Sequence, residues 1–130
     1  MKLRCDCGNV ISDSTDNLPY KCNLLPDDGY WDNIHQPIVQ GVLDFATAIQ
    51  KGTKEEWLTK YFGEGYPRDL DDASVISDLV GTQLSRGPTA YQCAECGMIL
   101  IPSTTKNGYA GFAPVDDDWH DVLAWRKQTR

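Results

Sequence analysis

The chain has 130 residues, 41% of them hydrophobic and 24% charged, which fits a globular domain with a real core and excludes a disordered chain. Nineteen acidic residues against twelve basic ones leave a net charge of −7, a balance that repels phosphate backbones and attracts basic partners. No apolar run approaches the ~20 residues needed to cross a bilayer, and Met1-Lys2-Leu3-Arg4-Cys5 has no apolar stretch after its positive charges, so a cytoplasmic protein without a membrane segment is expected.

Residues 2–5 and 9–12 read as two short strands around a first cysteine turn, Cys5-Asp6-Cys7-Gly8. A polar turn over 12–17 leads to a third strand over 20–25 that carries Cys22, whose default reading is a buried free thiol. Residues 26–37 read as a loop in which Asp27, Asp28 and Asp32 surround Tyr30 and Trp31. Two readings stand for that loop: the aromatic pair covers the core, or it forms a binding surface with the aspartates.

A helix is expected over 38–51, with Val39, Val42, Leu43, Ala46 and Ile49 inward and Gly52 as its stop. Thr53-Lys54-Glu55-Glu56 has the form of a capping box, opening a second helix that turns Trp57, Leu58, Tyr61 and Phe62 inward. A third helix starts near Asp71 or Asp72 and buries Val75, Ile76, Leu79 and Val80. Residues 90–93 lead into a second cysteine turn, Cys93-Ala94-Glu95-Cys96-Gly97, and 98–102 and 109–113 read as the two strands of a hairpin. Asp116, Asp117 and Asp118 then precede a short C-terminal helix over about 117–127, where acids at the N-terminus suit the helix dipole.

The five cysteines are the strongest signal. An odd number argues against a disulfide framework, and four of them form two close pairs, each followed directly by glycine. Zinc prefers a closed tetrahedron of soft ligands. Glycine after the second cysteine permits a positive φ and leaves its amide free to approach a sulfur. One structural zinc ion held by Cys5, Cys7, Cys93 and Cys96 is therefore expected. Iron in a single four-cysteine site is an alternative, as are buried cysteines that merely lie in pairs, and Cys22 could replace one ligand of the first pair. A redox Cys-x-x-Cys fits poorly, because the strand-like Met98-Ile99-Leu100-Ile101 follows Gly97 where a helix is needed. His35 and His120 lie far from any cysteine in sequence and form no metal motif.

Together these elements predict a single α+β domain. A zinc-ribbon-like antiparallel sheet is built from about 1–25 and 88–114, and a helical insertion over about 38–84 separates the two cysteine knuckles. Cys-x-Cys-Gly-Asn-Val-Ile-Ser-Asp near the start, Leu18-Pro19-Tyr20-Lys21 after it, and the late Cys-x-x-Cys-Gly resemble a group of small bacterial zinc-ribbon proteins. Some members of that group look like immunity proteins of interbacterial toxin systems. The resemblance covers both cysteine turns and the first 25 residues, and it implies zinc at the four matching cysteines.

Four thiolates leave no open coordination position for hydrolytic zinc chemistry. There is also no His-x-Glu beside the late cysteine pair, no phosphate-binding glycine loop and no nucleophile elbow. The expected role is a non-catalytic protein-interaction module for a basic partner such as a toxin domain. Its contact surface is expected at Asp27, Asp28, Tyr30, Trp31, Asp32, Asp116, Asp117 and Asp118. A zinc-ribbon regulatory or nucleic-acid-associated protein is the alternative.

Overall fold

The computed structural model describes residues 1–127 and has an α+β fold. Its elements run β1 (Lys2–Arg4), β2 (Val10–Ser12), β3 (Lys21–Asn23), a π-helical turn (Trp31–His35), α1 (Gln36–Lys51), α2 (Lys54–Phe62), α3 (Asp72–Leu84), β4 (Thr89–Gln92), β5 (Ile99–Pro102) and β6 (Tyr109–Phe112). The internal contacts group into two compact units: the helical segment Leu25–Arg86, and Met1–Leu24 together with the chain from Gly87 onward.

The second of these units holds both cysteine turns. β1 and β2 form an antiparallel hairpin with Leu3 opposite Ile11, and β3-β4-β5-β6 form a four-stranded antiparallel sheet. Its core is Cys5, Ile11, Tyr91, Cys93 and Leu100, with Leu3, Tyr20, Met98 and Tyr109 packed around them. Asp13 fastens the two sheets together. Its carboxylate accepts from the Tyr91 hydroxyl and pairs with Lys21 Nζ at 2.9 Å, and these two hydrogen bonds, Tyr91's foremost, hold its pKa below the usual carboxylate range. Its backbone N–H and carbonyl meanwhile bond Met1.

The C-terminal helix expected over 117–127 is absent, and residues 118–123 are turns. Asp121 has a φ of 54°, in the left-handed region that interrupts a helix. The Trp119 carbonyl, which a helix would offer to the Leu123 N–H, accepts instead from Gln92 Nε2 at 2.9 Å. The acids at 116–118 serve a local turn, in which Asp116 Oδ1 accepts from the Asp118 N–H at 2.8 Å.

In the helical unit the chain turns helical at Trp31, ahead of the expected start and inside the segment read as a loop. Pro37 explains the wide turn. A proline has no N–H to give the carbonyl four residues back, and its ring crowds that carbonyl. The π-helical turn bonds the Gln36 N–H to the Trp31 carbonyl, and the Asn33 carbonyl accepts from Arg86 Nη1 at 2.7 Å.

α1 buries a different face from the one its hydrophobic residues advertise. Gly41, Phe45 and Ala48 point inward, while Val39, Leu43, Ala46 and Ile49 are exposed. Gly41 is decisive, because a Cβ there would lie 2.8 Å from Leu79 Cδ1. Small residues let α3 approach closely, and a hydrophobicity count does not see them. Phe45, Leu58 and Val75 form the buried centre. Trp57 tilts against Phe45, while Phe62 stacks on Tyr66 with centroids 4.1 Å apart. In α3, Val75 and Leu79 are fully buried as expected, whereas Ile76 is partly exposed.

The capping box does not form. Thr53 precedes α2 with ψ 26° and no side-chain cap bond. Gly52, at φ 73°, ends α1, and the Thr53 N–H then turns back to the Ala48 carbonyl at 2.8 Å, with the Thr53 hydroxyl 3.5 Å from the same oxygen. The hydroxyl that would cap α2 is therefore turned towards the end of α1. Asp71 does cap α3, accepting from the Ser74 N–H at 2.8 Å.

Candidate metal centre

Each cysteine pair sits on a turn that the backbone closes on itself. In the first, the Cys5 N–H bonds the Asn9 carbonyl and the Gly8 N–H bonds the Cys5 carbonyl, both at 2.9 Å. In the second, the Cys93 N–H bonds the Met98 carbonyl and the Gly97 N–H bonds the Cys93 carbonyl, again at 2.9 Å. Gly8 and Gly97 have φ values of 97° and 79°, conformations that glycine adopts freely and other residues resist. The shared Cys-Gly pattern thus encodes two matching knuckles.

The two knuckles face each other. The Sγ atoms of Cys5, Cys7, Cys93 and Cys96 all lie within 4.8 Å of one another, with Cys5 to Cys96 at 3.5 Å and Cys7 to Cys93 at 3.6 Å. Four sulfurs bound tetrahedrally at ~2.3 Å from a metal would be about 3.8 Å apart. The observed spacing matches that edge and is far longer than the ~2.05 Å of a disulfide. All four are free cysteines. The arrangement is a four-sulfur cluster at metal-binding distance, formed by the four residues the spacing picked out. Cys22 lies elsewhere, opposite Ala90 in the sheet and half-buried, so it is not a ligand in this arrangement.

The surroundings prepare the sulfurs unequally. Burial pushes the Cys5 thiol up to about 12. At Cys93 burial also works against the thiolate, but the backbone N–H groups of Cys96 and Glu95 and the side chain of Asn9 outweigh it and lower the thiol to about 6. Asn9 Nδ2 donates to Cys93 Sγ across 3.4 Å. Partners of this kind orient a metal ligand and tune it.

Three contributors were not singled out from sequence. Asn9 follows the first glycine, and its side-chain amide reaches from the first knuckle to a sulfur of the second. Gln92, buried beside Cys93, donates to the Gly97 and Trp119 carbonyls. Trp119 lies flat over Gly97, so close that a Cβ at that position would meet its ring at 2.3 Å. Gly97 is therefore required twice, by its φ and by this ring. A polar residue that ends a strand directly before a ligand is the signal that could have exposed Gln92. Nothing local marks Trp119, which is 22 residues beyond Gly97.

The expected partner-contacting residues fall into two groups. Asp116, Asp117 and Asp118 are exposed on the turns after β6. Asp27, Asp28 and Asp32 are exposed at the start of the helical unit, where Tyr30 is half-buried and Trp31 is 58% exposed. Trp31 does not cover a core. It stacks on His35, with centroids 4.3 Å apart and planes at 19°.

Among the described residues no helix is long and apolar enough to cross a membrane. No curated protein and no solved structure shows a match to this chain. Residues 1–118 match the family described as Domain of unknown function (DUF8617), and with nine-tenths of its length inside that match the chain belongs to this family.

Proposed function

We propose that the chain is a non-catalytic protein-interaction module whose cysteine cluster holds one structural zinc ion. The observation that carries the zinc is the convergence of four thiols from two knuckles 86 residues or more apart in sequence. Zinc suits a closed sulfur tetrahedron, and a closed tetrahedron leaves no position for water or substrate. Such an ion stabilises by tying distant segments together, and its binding free energy becomes folding free energy.

The interaction role rests on charge and exposure. A net charge of −7, with exposed aspartates at Asp27, Asp28, Asp32 and Asp116–Asp118, favours fast, salt-sensitive association with a basic protein. The resemblance to immunity proteins supplies the class of partner: a cationic toxin domain, neutralised by being covered. The test is affinity capture from the native host followed by binding kinetics at two salt concentrations. Changing Asp116, Asp117 and Asp118 together to Asn is expected to slow association and to leave thermal stability nearly unchanged, within about 0.5 kcal/mol. An acidic captured partner, or association indifferent to both salt and the aspartates, would show the electrostatic reading to be wrong.

A further inference from the structure

The inward face of α1 leaves its other apolar arc uncovered. Val39 is 41%, Leu43 57% and Ile49 40% exposed, and Ala46 is exposed beside them. Because the π-helical turn takes more residues per turn, it brings Trp31 and His35 into line with Val39 and Leu43 at successive spacings of four. The result is one apolar stripe, roughly 22 Å from Trp31 to Ala46 at ~1.5 Å per residue. Scattered exposed apolar residues mean little, but a continuous stripe along a helix is a surface built for another element.

The charges around the stripe identify what would cover it. From Cys22 to Gln50 the sequence holds four aspartates and no lysine or arginine, with His35 its sole basic side chain; Lys51 ends α1 and Arg86 reaches the Asn33 carbonyl, so acids still outnumber cations about the stripe. Asp27, Asp28 and Asp32 are exposed around the Trp31 end. A second copy of the chain would bring the same aspartates against them, and like charges facing each other across an interface are costly. A helix with an apolar seam and flanking lysines or arginines has the complementary shape and charge.

We propose that the Trp31–Val39–Leu43–Ala46 stripe of α1 is the docking surface for a basic amphipathic helix of a partner protein, with Trp31 as its aromatic anchor. This rests on the interaction reading above and adds the place and form of the contact.

The test uses the full chain loaded with zinc and a synthetic helical peptide of leucine and lysine, followed by tryptophan fluorescence and calorimetry. A peptide with the same leucine seam and glutamate in place of lysine is the control. The lysine peptide is expected to bind and to weaken as salt rises, and the glutamate peptide is expected not to bind. Val39→Ser and Leu43→Ser should each weaken binding by about tenfold or more without moving the melting temperature. Equal binding of both peptides, no binding of either, or binding unchanged in both variants would overturn the proposal. So would a lowered melting temperature in the serine variants, which would mean the stripe packs within its own chain, or self-association that Leu43→Ser abolishes, which would make the occupant a second copy. If binding of the lysine peptide survives both serine variants but is lost when Asp116, Asp117 and Asp118 become Asn, this surface is wrong while the interaction role stands.

Discussion

Replacing Cys96 by serine is expected to abolish binding of the proposed zinc ion and to cost about 5 kcal/mol, because apparent zinc binding of ~10–16 kcal/mol in small structural sites is folding free energy. Cys96 closes the cluster from the second knuckle, 3.5 Å from the sulfur of the buried Cys5. Without it, three thiolates would share a cation that a serine hydroxyl holds weakly. Cys22→Ser is expected to cost under about 1 kcal/mol and to leave the metal bound, since that thiol is a small side chain in a sheet and touches no ligand. Denaturant titration with metal analysis of each variant gives both numbers. Equal losses from the two substitutions would mean that the ligand set is wrong.

The second large effect lies in the helical unit. Phe45→Ala is expected to destabilise it by about 3–5 kcal/mol, the usual range for emptying a buried aromatic site. Phe45 is 1% exposed and contacts Leu58 and Val75 at the centre of the three helices. Leu43→Ala, two residues away on the same helix, is expected to change stability by no more than about 0.5 kcal/mol, because Leu43 is 57% exposed. Helix content followed by circular dichroism through a denaturant titration checks both. A larger loss at Leu43 than at Phe45 would reverse the assignment of the faces.

That pair of residues marks where the sequence stops being legible. The apolar arc of Val39, Val42, Leu43, Ala46 and Ile49 is the more hydrophobic of the two that α1 offers, and it reads as the core face. The fold uses the arc with Gly41 and Ala48 because close approach to Leu79 rewards small side chains, a property that emerges only when α3 is in place. The extent of the elements was readable to within a few residues, since the stops at Gly52 and Gly63 and the cap at Asp71 are local events. The π-helical turn was hidden because Pro37 reads as a break. Here a wider turn and a bond from Arg86, 53 residues away from Asn33, accommodate it. The C-terminal turn failed for a related reason: Asp116 to Leu123 has helical spacing, but Gln92 and Gly97 recruit Trp119 from a distance. The four sulfur positions were legible because each knuckle is local, and only the meeting of the two had to be inferred. Of the contact residues proposed from sequence, Trp31 is in the open, joined to a stripe that the sequence assigned to the interior.

The most direct measurement of the central claim is the metal and thiol content of the native protein. Elemental analysis is expected to find one zinc per chain. A native thiol count is expected to find no more than one reactive cysteine of the five, Cys22, with all five reacting once a chelator has removed the metal. A protein that contains no zinc, or whose five cysteines all react at the same rate before chelation while the fold stays intact, would contradict the account.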